Sequence, residues 1–354
     1  MKTLAPLLLF TGGFIHAQIL TPVWIQLGDH GQILARTIVT SASACPSLTL
    51  DGVSRPMLPR TPVPPGFPPA CELAIPAHVK TALWDSKPLP LPHAAPAKVV
   101  VFGDTGCRVK GDRIQACDDP AQWPLPAIAQ QAAAESPDLI IHVGDYVYRE
   151  SACPPAQKTV CGTVPPGDHW EAWNADFFTP AAPLLAAAPW VFVRGNHEDC
   201  HRSWRGWFYY LDPHPFTGAA CQAFPPPYTV TLGSFQLVVL DSSEADDKNV
   251  KPKQVARYAH QLARLHVTNA WLADHHPFYL EPLKSAWNKA HPAGFSWIVS
   301  GHKHVWDLQP PTGGRPSQLT AGNGGTTLIS GSFGYTVFEK KDNTWTPAPI
   351  SITK

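Results

Sequence analysis

The chain has no surplus of charge: 27 Lys and Arg stand against 27 Asp and Glu in 354 residues. General binding to nucleic acid needs a cationic excess, so no such partner is expected. Charged residues are scarce altogether, at 15%, while 44% are hydrophobic, which excludes a disordered chain. No apolar run is long enough to cross a bilayer as a helix, so no transmembrane anchor is expected. No two of the eight cysteines are three apart, which leaves no Cys-x-x-Cys metal or redox motif. Internal repeats and coiled-coil heptads are missing too, and nothing in the sequence fixes an oligomeric state.

Proline, in contrast, is abundant. Its 40 residues are about twice ordinary usage, so long helices should be few and stiff connections many. Residues 1–17 read as a signal peptide: Lys2, then a mostly apolar Leu4 to Phe10, then Ala17 as a cleavage residue. This predicts a periplasmic or secreted protein. An even number of cysteines suits disulfides in an oxidising compartment. Connectivity is not fixed by sequence; the nearest-neighbour scheme 45–71, 107–117, 153–161 and 200–221 is the expectation, with buried free thiols as the alternative.

At about 150 residues per domain, the length predicts roughly two domains. Residues 18–88 hold short β-like runs, Val23 to Leu27, Ala35 to Thr40 and Leu48 to Leu50, separated by turn signals such as Gly28-Asp29. Proline-dense Pro56 to Pro69 nearly excludes helix. This region is expected to be a small β-sandwich-like module without reactive residues. Pro88 to Ala97 reads as a linker, giving divisions of 1–17, 18–88, 89–97 and 98–354.

Beyond Lys98 five apolar strands each end in polar residues. Lys98 to Phe102 is followed by Gly103-Asp104, Asp138 to Val143 by Gly144-Asp145, and Trp190 to Val193 by Arg194-Gly195-Asn196-His197. Asn269 to Ala273 precedes Asp274-His275-His276, and Phe295 to Val299 precedes Ser300-Gly301-His302-Lys303-His304. Continuous apolar strands belong to sheets covered on both faces, and ligand sites gather at strand carboxyl ends. Helical spacing marks Ala127 to Glu135 and Gln254 to His266, and Gly233-Ser234 marks a hairpin. His302 and His304, two apart, share one side of an extended chain. Oxygen-plus-imidazole donor sets suit iron, manganese or zinc better than calcium.

In order and spacing, Gly103-Asp104-Thr105-Gly106, Gly144-Asp145-Tyr146-Val147-Tyr148, Gly195-Asn196-His197-Glu198, Asp274-His275 and Gly301-His302-Lys303-His304 resemble the calcineurin-like metallophosphoesterase superfamily. Within it they look like the purple acid phosphatase branch. Gly322-Asn323-Gly324-Gly325 is similar to that family's closing segment. The resemblance implies an α/β fold: two mixed sheets sandwiched between helices, with a small N-terminal all-β, fibronectin III-like module. It implies two metal ions, the first held by Asp104, Tyr148 and His304, the second by Asn196, His275 and His302, with Asp145 bridging. His275 is chosen over His276 because the family's ligand stands two residues before a proline, here Pro277.

Most of the superfamily has a ligand His where this chain has Gly106, and Tyr148 stands where it can replace it. Trading imidazole for phenolate adds negative charge, which implies iron(III) at the first site, with zinc, iron or manganese at the second. His197 would contact the phosphate or the leaving oxygen as the catalytic residue, and Arg202 and Arg205 are candidate substrate contacts. The implied activity is hydrolysis of a small phosphate monoester by hydroxide formed on the ions. The alternatives are a phosphodiesterase or nucleotidase on the same site, or a catalytically inactive surface-binding protein.

Overall fold

The computed structural model describes residues 19–352, so the leader expected over 1–17 lies outside the described residues. The chain opens with β1 (Trp24–Leu27), β2 (Ile33–Ile38), β3 (Ser47–Leu50), β4 (Val53–Pro56), β5 (Leu58–Pro59), β6 (Ala70–Ile75), β7 (Ala82–Trp84) and β8 (Lys87–Pro88). Each pairing among them is antiparallel. Ile25, Ala35, Leu48, Leu50 and Met57 share a core, and the Cys45–Cys71 bond joins β6 to the loop before β3. Residues 89–97 form no strand or helix.

The rest of the chain carries β9 (Lys98–Phe102), β10 (Val109–Lys110), β11 (Arg113–Ile114), β12 (Leu139–His142), β13 (Trp190–Phe192), β14 (Tyr228–Leu232), β15 (Phe235–Val239), β16 (Ala270–Ala273), β17 (Phe295–Ser300), β18 (Trp306–Gln309), β19 (Ser317–Ala321), β20 (Gly334–Lys341) and β21 (Thr344–Ser351). One mixed sheet runs β21-β20-β9-β12-β13-β1-β2-β6-β5, the other β14-β15-β16-β17-β19-β18. Strands β9, β12 and β13 are parallel, as are β15, β16, β17 and β19. Strands β1, β2, β6 and β5 therefore continue the first sheet, because β1 pairs in parallel with β13 at Gln26 and Trp190, while β4-β3-β7-β8 form a separate four-stranded sheet.

Side-chain alternation explains the layers. Val99 and Val101 of β9 join Ile141, Val191, Leu237, Val239 and Trp271 between the two sheets. Val100 and Phe102 point the other way, with Ile140, Trp190 and Phe192, under helices Leu125–Ala134 and Thr179–Leu185. On the second sheet Val238 and Leu272 face helices Pro252–Leu262 and Leu283–Ala290. The result is helix, sheet, sheet, helix. The longest described helix has 11 residues, as the proline content anticipates. The hairpin at Gly233-Ser234 forms with Leu232 opposite Phe235. All four cysteine pairs are nearest neighbours.

One buried cation clamps the N-terminal strands to the loop beyond β13. The Arg36 guanidinium, fully buried, donates to Glu72 (2.7 Å), Gln26 Oε1 (3.0 Å), the Tyr210 carbonyl (2.8 Å) and the Asp212 carbonyl (2.8 Å). Burial, with Arg60 nearby, pulls it down to about 9. Removing it would strand those acceptors in a dry site. Arg36→Met is therefore expected to lower stability by about 3 kcal/mol, read from the midpoint of urea unfolding; an unchanged midpoint would mean the clamp contributes nothing.

Candidate metal centre

The carboxyl ends of β9, β12 and β13 meet those of β16 and β17 at one cleft of about 760 Å³. The chain leaves those ends in a costly conformation. Asp104 (φ 56°), Asp145 (φ 64°) and His302 (φ 68°) adopt the left-handed region, which few non-glycine residues occupy, Asp and His more readily than most. Gly144 (φ 99°) has no room for a side chain, since a Cβ there would lie 2.6 Å from His275 Nδ1. Gly106 is equally confined: a Cβ would meet the Tyr146 carbonyl at 2.5 Å and the Tyr148 nitrogen at 2.9 Å. The turn that delivers Tyr148 thus excludes any side chain at 106.

Two donor groups result. In one, Tyr148 Oη lies 2.9 Å from Asp104 Oδ1, 2.5 Å from Asp145 Oδ2 and 3.0 Å from His304 Nε2, with His304 Nε2 also 3.3 Å from Asp104 Oδ1. In the other, Asn196 Oδ1 lies 2.9 Å from His275 Nε2 and 2.8 Å from His302 Nδ1. Asp145 faces both groups, with Oδ2 at Tyr148 and Oδ1 3.3 Å from His275 Nε2. Each imidazole is held from behind. His275 Nδ1 meets the Val143 carbonyl (2.8 Å), His304 Nδ1 the Thr327 carbonyl (2.9 Å), and His302 Nε2 the Asp247 carboxylate (3.5 Å). An acceptor behind one ring nitrogen fixes the proton there and turns the other nitrogen's lone pair inward.

Polar atoms this close together are held by a shared proton, as the Tyr148 O–H supplies to Asp104 and Asp145, or by a cation between them. Burial opposes protonation of His275, yet Asp145 beside it pushes it up to about 10. Burial and the neighbouring Asp104 and Asp145 push the Tyr148 phenol well above its ordinary value. Carboxylates, an amide oxygen, a phenol and inward imidazole nitrogens are the donors that hard or borderline cations take. Asp104, Asp145 and His304 offer atoms within 4.8 Å of one another, as do His275, His276 and His302. The residues present therefore fit a pair of metal ions.

The remaining expected residues divide. His197 is nearly buried beside Tyr148, with ring centroids 3.8 Å apart, and its backbone N–H donates to Asp145 Oδ1 (2.8 Å). Burial holds its imidazole well below the usual value. Arg202 lines the cleft, paired with Asp199 (2.9 Å). Arg205 is not brought to the site: it does not line the cleft, and its guanidinium lies 4.6 Å over Trp204. Its helix turn packs the Trp207 side inward, which aims 205 away. Arg149 is an ion-pair partner, 2.7 Å from buried Asp176. Ser242 Oγ accepts from the backbone of His275 (3.0 Å) and His276 (2.9 Å).

Sequence reasoning missed three supports. Glu150 Oε1 lies 3.1 Å from His197 Nδ1. Glu198 is fully buried and accepts from the backbone of Gly195, Asp145, Tyr146 and Val147, at 2.8 to 3.2 Å, clamping the turn that carries Asp145 and Tyr148. Burial and then Asp145 push its carboxyl up to about 8. Asp247 backs His302. The signal for the first two lay in or beside the quoted motifs: Glu198 closes one of them and Glu150 stands two residues beyond another, each two residues after a candidate ligand.

A family-level sequence model described as calcineurin-like phosphoesterase matches residues 97–306. No curated protein matches the sequence significantly. Among solved structures, a purple acid phosphatase from yellow lupin (Lupinus luteus) seeds is similar at 16% identity and a TM-score of 0.58, over 93% of this chain and 71% of its own. PhoD is similar at 10% identity and a TM-score of 0.49, over 89% and 83%. A dimetal phosphatase from Danio rerio is similar at 12% identity and a TM-score of 0.42, over 73% and 97%. At 16% identity the likeness to the lupin protein is one of fold. The sequence match takes in the strand ends from Asp104 to His304 that build the cleft, and by it the chain belongs to the calcineurin-like metallophosphoesterase family.

Proposed function

We propose that the protein is an exported phosphomonoesterase of acid-phosphatase type that works with two metal ions. The observation that carries this reading is the Asp145 carboxylate, whose two oxygens face two separate donor groups. Asp104, Tyr148 and His304 would hold one ion, Asn196, His275 and His302 the other, and Asp145 both. When bound, such ions activate water and spread charge over the oxygens of a phosphate ester in transit. The chain's part is positioning. The Val143 and Thr327 carbonyls and Asp247 keep each imidazole in the tautomer that binds, Glu198 holds the Asp145 turn, and His197 offers a ring nitrogen beside the reacting phosphate.

The phenol at 148, coupled to Gly106, supports iron(III) at the first site, with zinc, iron or manganese at the second. Four disulfides are consistent with an extracellular location. Among the described residues no helix is long and apolar enough to cross a membrane.

Elemental analysis with a visible spectrum tests the metal reading. The expected result is iron near one equivalent and a tyrosinate charge-transfer band that Tyr148→Phe abolishes. Iron-free active protein without the band would overturn it. Comparing p-nitrophenyl phosphate with bis(p-nitrophenyl) phosphate tests the substrate: faster cleavage of the monoester is expected, and the reverse order would make the protein a diesterase.

A further inference from the structure

One wall of the cleft is a short hairpin closed by the Cys107–Cys117 bond. Its register places Lys110 directly opposite Arg113 and Val109 opposite Ile114. Side chains alternate along a strand, so Val109 and Ile114 turn toward the core while Arg108, Lys110 and Arg113 share the other face. That face lines the cleft.

The hairpin is fixed rather than draped. The Arg108 N–H donates to Gln115 Oε1 (3.0 Å), the Gln115 N–H to the Arg108 carbonyl (2.8 Å), and Gln115 Nε2 to the Gly325 carbonyl (2.7 Å). The Val109 N–H donates to the Tyr148 carbonyl (3.2 Å), and the Gly111 N–H to Ser151 Oγ (2.8 Å). A rigid arm loses little freedom when it binds a ligand.

Seven Lys and Arg residues line the cleft, and three of them are already matched. Lys110 pairs with Glu150 (2.5 Å), Arg202 with Asp199 (2.9 Å) and Lys303 with Asp247 (3.2 Å). Arg108, Arg113, Lys248 and Lys251 have no carboxylate partner among the described residues; the two arginines stand together on the rigid hairpin, and Arg108 Nε is buried with no acceptor. The Arg108 guanidinium sits 5.0 Å over the Tyr148 ring, with Nη2 3.5 Å from His304 Nδ1. It stands against the donor cluster, and Arg113 stands further out on the same face.

The cleft is also much larger than one phosphate needs, at about 760 Å³, a volume suited to a whole small-molecule substrate. Among the described residues lining it there is no Phe, Tyr or Trp, so it offers no broad aromatic face for a purine or pyrimidine to stack on.

We propose that the cationic face of this hairpin is a subsite for a second, uncut phosphate, and that the preferred substrates are small polyol or sugar bisphosphates without a base. This rests on the phosphomonoesterase reading above. In the reaction one ester P–O bond breaks, a water oxygen bonds to that phosphorus, and a water proton goes to the leaving alkoxide. The other phosphate stays whole against Arg113, with Arg108 between the two.

The test compares fructose 1,6-bisphosphate, AMP and p-nitrophenyl phosphate on the metal-loaded wild type and on Arg113→Ala, an exposed position where folding is not at issue. The expected kcat/KM for the bisphosphate exceeds that for AMP. Arg113→Ala is expected to cut the ratio of bisphosphate to p-nitrophenyl phosphate kcat/KM by about tenfold, mainly through KM, the size of one charge-assisted contact. An unchanged ratio, or a preference for AMP, overturns the subsite while leaving the phosphatase reading intact. A wild type that cleaves none of the three overturns both.

Discussion

Asp145→Asn is expected to lower turnover of p-nitrophenyl phosphate by about 10³-fold or more, since an ion that polarises a phosphoryl oxygen is worth several kcal/mol, and to lower the content of both ions. The reason lies in the two oxygens. Oδ2 is 2.5 Å from Tyr148 Oη and Oδ1 is 3.3 Å from His275 Nε2, so one carboxylate serves both donor groups. An amide keeps the shape but supplies one acceptor and no charge, and its NH₂ would point a donor into one of the groups. The buried turn, clamped by Glu198 through backbone N–H groups, does not depend on the charge. The fold should therefore survive, and circular dichroism of the variant should match the parent. Elemental analysis separates the outcomes. A variant that keeps both ions and most of its turnover would show that Asp145 does not bridge.

What the sequence disclosed and what it withheld follow from the range of the forces involved. The runs Lys98 to Phe102 and Phe295 to Val299 are legible because an apolar strand covered on both faces leaves a local signature. The placement of Asp104, Asp145, Asn196, His275, His302 and His304 at strand ends is legible because parallel neighbours β9, β12 and β13, and likewise β16 and β17, put those ends at the same edge. The Gly106–Tyr148 coupling was visible as a pattern, but its steric cause, the Tyr146 carbonyl and Tyr148 nitrogen against position 106, exists only in three dimensions. Backbone pairing leaves even less trace: nothing in Trp24 to Leu27 announces that β1 will lie beside β13. Arg36 reaches acceptors 174 and 176 residues away, beyond any spacing rule. Arg202 and Arg205 look alike in sequence because they stand three positions apart within one basic, aromatic stretch; Arg202 lies in the turn before the short helix Trp204–Gly206 and faces the cleft, whereas Arg205 lies within that helix and sits over Trp204.

His197→Ala should leave both ions in place and lower turnover by about 10²- to 10⁴-fold, the range for a positioned acid or base. The imidazole makes no bond that either donor group needs. It lies against Tyr148, and the contact to Asp145 Oδ1 comes from its backbone N–H, which alanine retains. Nε2 stands 4.0 Å from Asp145 Oδ2 and is free to meet a leaving oxygen, while Nδ1 faces Glu150 at 3.1 Å. Glu150 Oε1 is not aligned for a hydrogen bond to Nδ1, so it acts on the ring through charge alone, favouring the form that carries a second proton at Nε2, the one it can give away. Glu150→Gln would weaken that support, and about a tenfold loss of turnover is expected, matching one charge-assisted contact. Because Glu150 acts through His197, the double variant should turn over no more slowly than His197→Ala alone. Additive losses would mean that Glu150 works on the substrate by another route, through Lys110 (2.5 Å) at the rim of the same cleft. Full turnover in His197→Ala with both ions bound would remove the imidazole from the reaction altogether.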